Sequence, residues 1–359
     1  MILTIIVFIL VIGILVTVHE FGHFVVAKLS GVKVEEFAFG FPPKLWSKKK
    51  GETRYIINLL PIGGYVKMLG EEENIKDKRS YSTQPTKKKV AIIVAGVVMN
   101  LVLAWVLLAI GFAVGMSPLI SSPDSIHGQR LKTSIIIAET KKDSPAEKAG
   151  LKQGDEIKGF EVDGQNIVLG QGSELTNFTK SHKGETITIN YLRDGSTLSA
   201  QVILSDDETQ PLGVASIDNS IIRVEWYRAP VVAAVETAKI FKLTFSFIGS
   251  LFQGIFTKGQ VSGDVGGPIA IYVYTGMAVK LGVMAVLQFV ALLSVNLALV
   301  NILPLPALDG GKILFIVLRR IMGKHFMQEK IENIIHTVGF ALLIGLMILL
   351  TIKDIKRFF

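Results

Sequence analysis

The chain has 359 residues, half of them hydrophobic and 19% charged, with no cysteine. Apolar residues gathered in such long runs exclude an ordinary soluble protein. Without cysteine a disulfide framework is also excluded, and any metal site must draw on histidine and carboxylate. The formal net charge of +8 does not point to nucleic acid, because Lys and Arg crowd one segment, 44–89, and no recognition motif accompanies them.

Residues 1–29 read as one helix. Its run Ile2 to Val18 approaches the ~20 apolar residues a bilayer core requires. No basic segment precedes the run and no small-residue cleavage site follows it, so a retained first span is expected rather than a signal peptide. The helix continues through HEFGH, residues 19–23, and Gly31 is its expected stop. Residues 30–89 form a loop. Its part 33–70 alternates and is rich in β-branched residues, with turns marked by Pro42, Pro43, Pro61, Gly63 and Gly64. Irregular backbone at membrane depth is tolerated only when buried in protein or lining a wet cavity. This small membrane-associated β segment is therefore expected to fold against, or dip beside, the HEFGH helix. Residues 71–89 read as a charged linker, and 90–117 as a second span.

The polar stretch that follows holds DSPAEKAGLKQGDEIKGFEVDGQNI, residues 143–167. Ser144 can cap a helix beginning at Pro145, Gly150 ends it, Gly154 and Asp155 turn into a strand, and Asp163-Gly164 suits a tight hairpin. The signature resembles a bacterial-type PDZ domain over residues 127–218, expected as short strands and one helix. That resemblance implies peptide C-termini as partners, bound by strand addition. A spacer or steric plug is the other reading. Residues 229–280 read as interfacial or juxtamembrane helices: 229–257 is apolar enough for a fifth span, but Glu236, Lys239 and Lys242 recur at helical spacing, which suits a helix in the interface or packed on the bundle. A third span covers 281–311, a loop 312–333 and a fourth span 334–353. The expected fold class is a polytopic α-helical membrane protein with four transmembrane helices, an inserted α+β PDZ domain and the small β segment. Lys44, Lys48, Lys49, Lys50, Arg54 and Lys87 to Lys89 place the first loop in the cytoplasm and the inserted domain outside.

HEFGH is an H-E-x-x-H run. Residues four apart share a helix face, so His19 and His23 can offer imidazoles to one Zn²⁺ while Glu20 reaches a metal-bound water as base. Ionisable residues inside a span mark function by default. The bland alternative is three polar residues at a helix end facing headgroups. A third ligand at matching depth is needed. The best candidate is Asp309 in NILPLPALDGGK, residues 301–312, where Pro304 and Pro306 break the helix just before it. Asp309 has a second reading as the cap of the helix starting at Gly310. Topology favours the ligand. Spans one and three both end on the cytoplasmic side provided 229–257 does not span, and Arg319, Arg320 and Lys324 follow in a cytoplasmic loop. His127, His182 and His325 are poor ligands by position. His336 begins span four and can face the site, though an interfacial place suits it as well.

HEFGH in the first span, NILPLPALDGG near the end and an outside PDZ between spans two and three resemble the site-2 protease family. More narrowly they resemble its bacterial branch of regulated intramembrane proteolysis. The resemblance covers nearly the whole chain, with PIGGYVKM at 61–68 and SGDVGGPIAI at 262–271 also family-like. It implies zinc held by His19, His23 and Asp309, Glu20 as the catalytic glutamate, and Asn301 binding substrate backbone or oxyanion. It also implies a substrate-lining strand and loop from Asn58 through Gly63 and Gly64 to Met68. Implied substrates are single-span membrane proteins, such as trimmed anti-sigma factors or remnant signal peptides. The implied location is the bacterial inner membrane, with the active site toward the cytoplasm. One departure is AGVVMN, residues 95–100, where Gly96-Val97 stands in place of the usual Gly-Pro before Asn100. Two other readings remain: a catalytically inactive PDZ-bearing membrane adaptor, and a metal transporter.

Overall fold

In hydrocarbon only an internally hydrogen-bonded backbone is tolerated, so long apolar runs become helices. The computed structural model describes residues 2–71, 75–162, 164–193, 195–258, 265–322 and 329–358. Among these, four helices are long and apolar enough to cross a membrane: Ile2–Leu29, Thr86–Val114, Val283–Ile302 and Ile334–Phe358. Asp163 of the expected hairpin, residues 262–264 of SGDVGGPIAI, Lys324 and His325 lie outside the described residues. The chain divides into two units, one running to Gly111 and resuming with Pro230–Phe359, the other Phe112–Ala229.

The first unit begins with α1 (Ile2–Leu29), β1 (Val34–Lys50), β2 (Thr53–Met68) and α2 (Thr86–Val114). β1 and β2 are each bent, so four runs lie side by side. Residues 36–39 pair with 54–57 on one side and with 64–67 on the other, while 44–50 pair with 53–58. Asn58 holds the bend, its buried amide donating to the Gly40 carbonyl at 2.9 Å. The sheet lies along α1. A Cβ on Gly13 would stand 3.1 Å from Phe39 and 3.4 Å from the Pro61 carbonyl. Gly13 is ten residues from His23, about 15 Å along a helix, so the sheet runs deep beside α1. Its bend exposes Phe41, Leu45, Trp46, Leu59 and Leu60, an apolar surface of the kind lipid covers. Ala27, Val32, Val34, Met68 and Ile92 form the core where α1, the sheet and α2 meet. α2 begins earlier and ends earlier than the expected 90–117. Lysines 87–89 join its first turn, where long stems let charges reach water, and Gly115 at φ 131° breaks it.

The second unit holds β3 (Gln129–Lys132), β4 (Ile135–Thr140), α3 (Pro145–Lys148), β5 (Glu156–Val162), β6 (Gln165–Ile167), α4 (Gly172–Ser181), β7 (Thr186–Arg193), β8 (Ser196–Ile203), β9 (Val214–Asp218) and β10 (Ile221–Arg223). Five strands run β8-β7-β5-β4-β9, with β6 paired to β5. Ile135, Ile137, Phe160, Ile187, Ile189 and Leu212 fill the core. Ser144 caps α3 as expected, its hydroxyl accepting from the Glu147 N–H at 3.2 Å. Two expectations need correction. The unit extends beyond 127–218, because β10 pairs with β3. It also has a second helix, α4, in a polar decapeptide whose only buried residues are Leu175, Phe178 and Thr179, too few for a visible period.

Asp155, almost fully buried, accepts the Lys152 N–H at 2.8 Å and both Nε and Nη2 of Arg193 at 2.7 Å. Asp155→Ala removes the acceptor of the Lys152 N–H and of two guanidinium donors, leaving Arg193 the Gly150 carbonyl and water, and is expected to destabilise this unit by about 2 kcal/mol. Hydrogen exchange in the intact chain reads this as faster exchange in β5 and β7, and unchanged rates there would contradict it.

The first unit resumes with α5 (Ala229–Lys258), α6 (Pro268–Leu281), α7 (Val283–Ile302), α8 (Asp309–Met322) and α9 (Glu329–Phe358). α5 is not among the four apolar spans and lies along the bundle. The Trp105 indole donates to the Pro230 carbonyl at 2.8 Å, and the Thr244 hydroxyl to Asn296 of α7 at 3.1 Å. Asp354 of α9, buried within a span, accepts the Gly267 and Ala270 N–H groups at 2.9 and 2.8 Å, capping α6 from across the fold. That accounts for glycine in GGP: a Cβ on Gly267 would stand 2.9 Å from the Asp354 carboxylate. Val11, Leu15 and Val290 pack α1, α2 and α7 together.

Candidate metal centre

α1 presents His19 and His23 on one face, with ring centroids 4.7 Å apart and rings perpendicular. Asp309 arrives at the start of α8. Its Oδ2 lies 2.9 Å from His19 Nε2 and 3.2 Å from His23 Nε2. α7 stops at Ile302, before Pro304 and Pro306, and the chain turns through Ala307 at φ 72°. Gly310 and Gly311 make the turn feasible, since a Cβ on either would stand 2.2 Å from carbonyl oxygens of Ile302, Leu303 or Leu305. Of the two readings of Asp309, the structure turns its carboxylate to the imidazoles.

One ligand atom from each of the three residues lies within 4.8 Å of the others. Two imidazoles and a carboxylate are a donor set of open, hydrolytic zinc sites. The hydrogen bonding agrees. His23 Nδ1 is 2.8 Å from the Ile92 carbonyl and must be the N–H donor there, which leaves the Nε2 lone pair for a metal.

Glu20, His23 and Asp309 line a cavity of about 990 Å³ whose wall includes Tyr65, Met68, Leu69 and Lys312. A Cβ on Gly64 would be 3.6 Å from Glu20 Cγ, so the 64–68 run of β2 passes directly beside Glu20. Lys312 Nζ lies 3.1 Å from Glu71 Oε1. Desolvation opposes its charge, but Glu71 and Asp309 outweigh that and hold the ammonium above the usual lysine range.

Asn301 stands close, its Nδ2 3.4 Å from His19 Nε2. Asn58 and Gly63 do not line the cavity; they shape the β bend, where a Cβ on Gly63 would strike the Phe41 ring at 2.3 Å. His336 does line the cavity, and its Nδ1 accepts the Ala307 N–H at 2.9 Å. His182 instead closes α4, bonding the Phe178 carbonyl at 2.8 Å. Two residues escaped the sequence reading of the site, Gly96 and Asn100, both on α2. Their signal in the sequence is the AGVVMN stretch, which by itself reads only as a variation on Gly-Pro. A Cβ on Gly96 would lie 2.6 Å from the His23 ring and 2.8 Å from the His19 ring. Asn100, fully buried, places Nδ2 3.2 Å from His19 Nδ1.

The second unit has its own groove, about 430 Å³, between α4 and β9, the last strand of its sheet. The Gly172 N–H donates to Asp218 at 2.5 Å, and a Cβ on Gly172 would be 2.7 Å from the Ser216 hydroxyl.

Residues 7–346 match the family described as Peptidase family M50. The chain belongs to peptidase family M50. A protein named as a zinc metalloprotease in Clostridium acetobutylicum is 35% identical over 98% of this chain and 97% of its own length. Zinc metalloprotease RasP of Shouchella clausii is 31% identical over 99% of each chain, and Regulator of sigma-E protease RseP of Escherichia coli 31% over 98% of each. The site-2 protease resemblance of the motifs thus holds over nearly the full length, and the chain is an enzyme, a zinc metalloprotease of that intramembrane type. Membership sets aside the adaptor and transporter readings.

Proposed function

We propose that this M50 peptidase cleaves the membrane-spanning segments of single-span membrane proteins, with His19, His23 and Asp309 holding zinc and Glu20 acting as general base. The observation that carries the reading is the convergence of three ligand atoms from segments almost three hundred residues apart, two on α1, which is long enough to span a bilayer, and one at the start of α8, just after α7, which is also long enough. Zinc held there would polarise the scissile carbonyl and acidify a water. Glu20 takes a proton from the attacking water and returns it to the departing amine. Asn301 donates its amide N–H to the oxygen that gains charge. A peptide bond inside a helix is shielded, so the substrate must open. The 64–68 run of β2, beside Glu20, offers backbone groups that hold it extended. Gly64 keeps that run close to the base.

The lysines of 44–89 with Arg319 and Arg320 support an orientation in a bacterial inner membrane with the site toward the cytoplasm and the PDZ-like domain outside. Trimmed membrane-bound regulators and remnant signal peptides are the substrate classes this reading predicts. The groove beside β9, the last strand of its sheet, suits an extended peptide added as a further strand.

The test is reconstitution of the full chain in liposomes with a single-span substrate, and mass spectrometry of the products. Cuts are expected inside the apolar segment, in its cytoplasmic half, and a metal chelator abolishes them. Cuts confined to soluble loops would sink the proposal.

A further inference from the structure

A histidine that gives Nε2 to a metal must carry its proton on Nδ1, and a buried N–H needs an acceptor. The Ile92 carbonyl serves His23. For His19 the group at Nδ1 is the side-chain amide of Asn100, 3.2 Å away. Its Nδ2 faces the ring, while its Oδ1 is buried with no hydrogen-bond partner among the described residues. The two ends of an amide are nearly the same in shape. A half-turn gives Oδ1 the Nδ1–H donor and turns the amide N–H groups to the place the oxygen now holds.

Asn100 sits fully buried in the middle of a span, where an amide is costly unless it is used. Its backbone is fastened separately, the Ser294 hydroxyl donating to its carbonyl at 2.8 Å. Ile92, Gly96 and Asn100 are each four apart, one face of α2. That face supplies a carbonyl to His23, then a gap where a Cβ would strike both rings, then an amide to His19.

Resting on the zinc reading above, we infer that Asn100 is a positioning residue: its Oδ1 accepts the Nδ1 proton of His19 and fixes the tautomer that offers Nε2 to the metal. The test uses the full chain in detergent, loaded with Zn²⁺ against a chromophoric chelator and separately with Co²⁺ for its visible absorption bands. Asn100→Leu removes the acceptor and is expected to weaken zinc binding about ten- to a hundredfold. Asn100→Asp keeps an acceptor, retains zinc and shifts the cobalt bands, because a carboxylate against Nδ1–H makes His19 a stronger donor. Asn100→Leu binding zinc as tightly as the parent would overturn the inference. Should that variant not fold, Asn100→Asp decides: cobalt bands identical to the parent's would also overturn it. A parent chain that binds no zinc, or binds it equally well as His19→Ala, would instead overturn the zinc reading itself.

Discussion

Glu20→Gln is expected to slow cleavage about a thousandfold, within the range that general acid–base catalysis contributes, while zinc content stays at the parent level. Glutamine keeps the size and helix preference of glutamate, so α1 and the two histidines it carries hold their places. What is lost is the ability to take a proton. Glu20 lines the cavity with His23 and Asp309, and the 64–68 run passes beside its Cγ. A substrate strand lying on that run brings its scissile bond to the base. Single-turnover cleavage in liposomes gives the rate, and elemental analysis of the same sample gives the zinc. Cleavage at the parent rate with zinc bound would remove Glu20 from the mechanism. Loss of zinc together with activity would make Glu20 a structural partner of the site instead.

Asp309→Asn is expected to lower zinc affinity by about a thousandfold or more, beyond the ten- to hundredfold typical of residues behind the ligands. Asparagine caps helices as well as aspartate does, so α8 keeps its start. The charge that balances a dication among two neutral imidazoles is gone. Zinc retained by chelator competition, with activity unchanged, would return Asp309 to the role of a helix cap. The turn bearing it is a poor place for larger changes, because Gly310 and Gly311 already meet carbonyl oxygens of the preceding turn.

HEFGH and NILPLPALDGG were legible because each is local: helical periodicity puts two histidines on one face, and two prolines stop a helix just before an aspartate. The four apolar helices were legible for a similar reason, since hydrocarbon demands unbroken apolar length. Asn58 and Gly63 read as substrate-lining by resemblance, and in the fold they shape the bend that leads into the 64–68 run. Which run of a folded sheet reaches the site depends on pairings between distant residues, which no local pattern records. α4 was hidden because only three of its residues are buried.

The HEFGH motif by itself pointed to the chemistry and to two of the proposed ligands, and the topology of the spans pointed to the third. Tertiary structure alone decided what stands behind them. The carbonyl of Ile92 and the gap at Gly96 carry no chemical signature in a sequence, and Asn100 is one asparagine in an apolar run. They become parts of the site only because α2 packs against α1 at the depth of the histidines, and depth and facing are properties of packed helices rather than of residues in order.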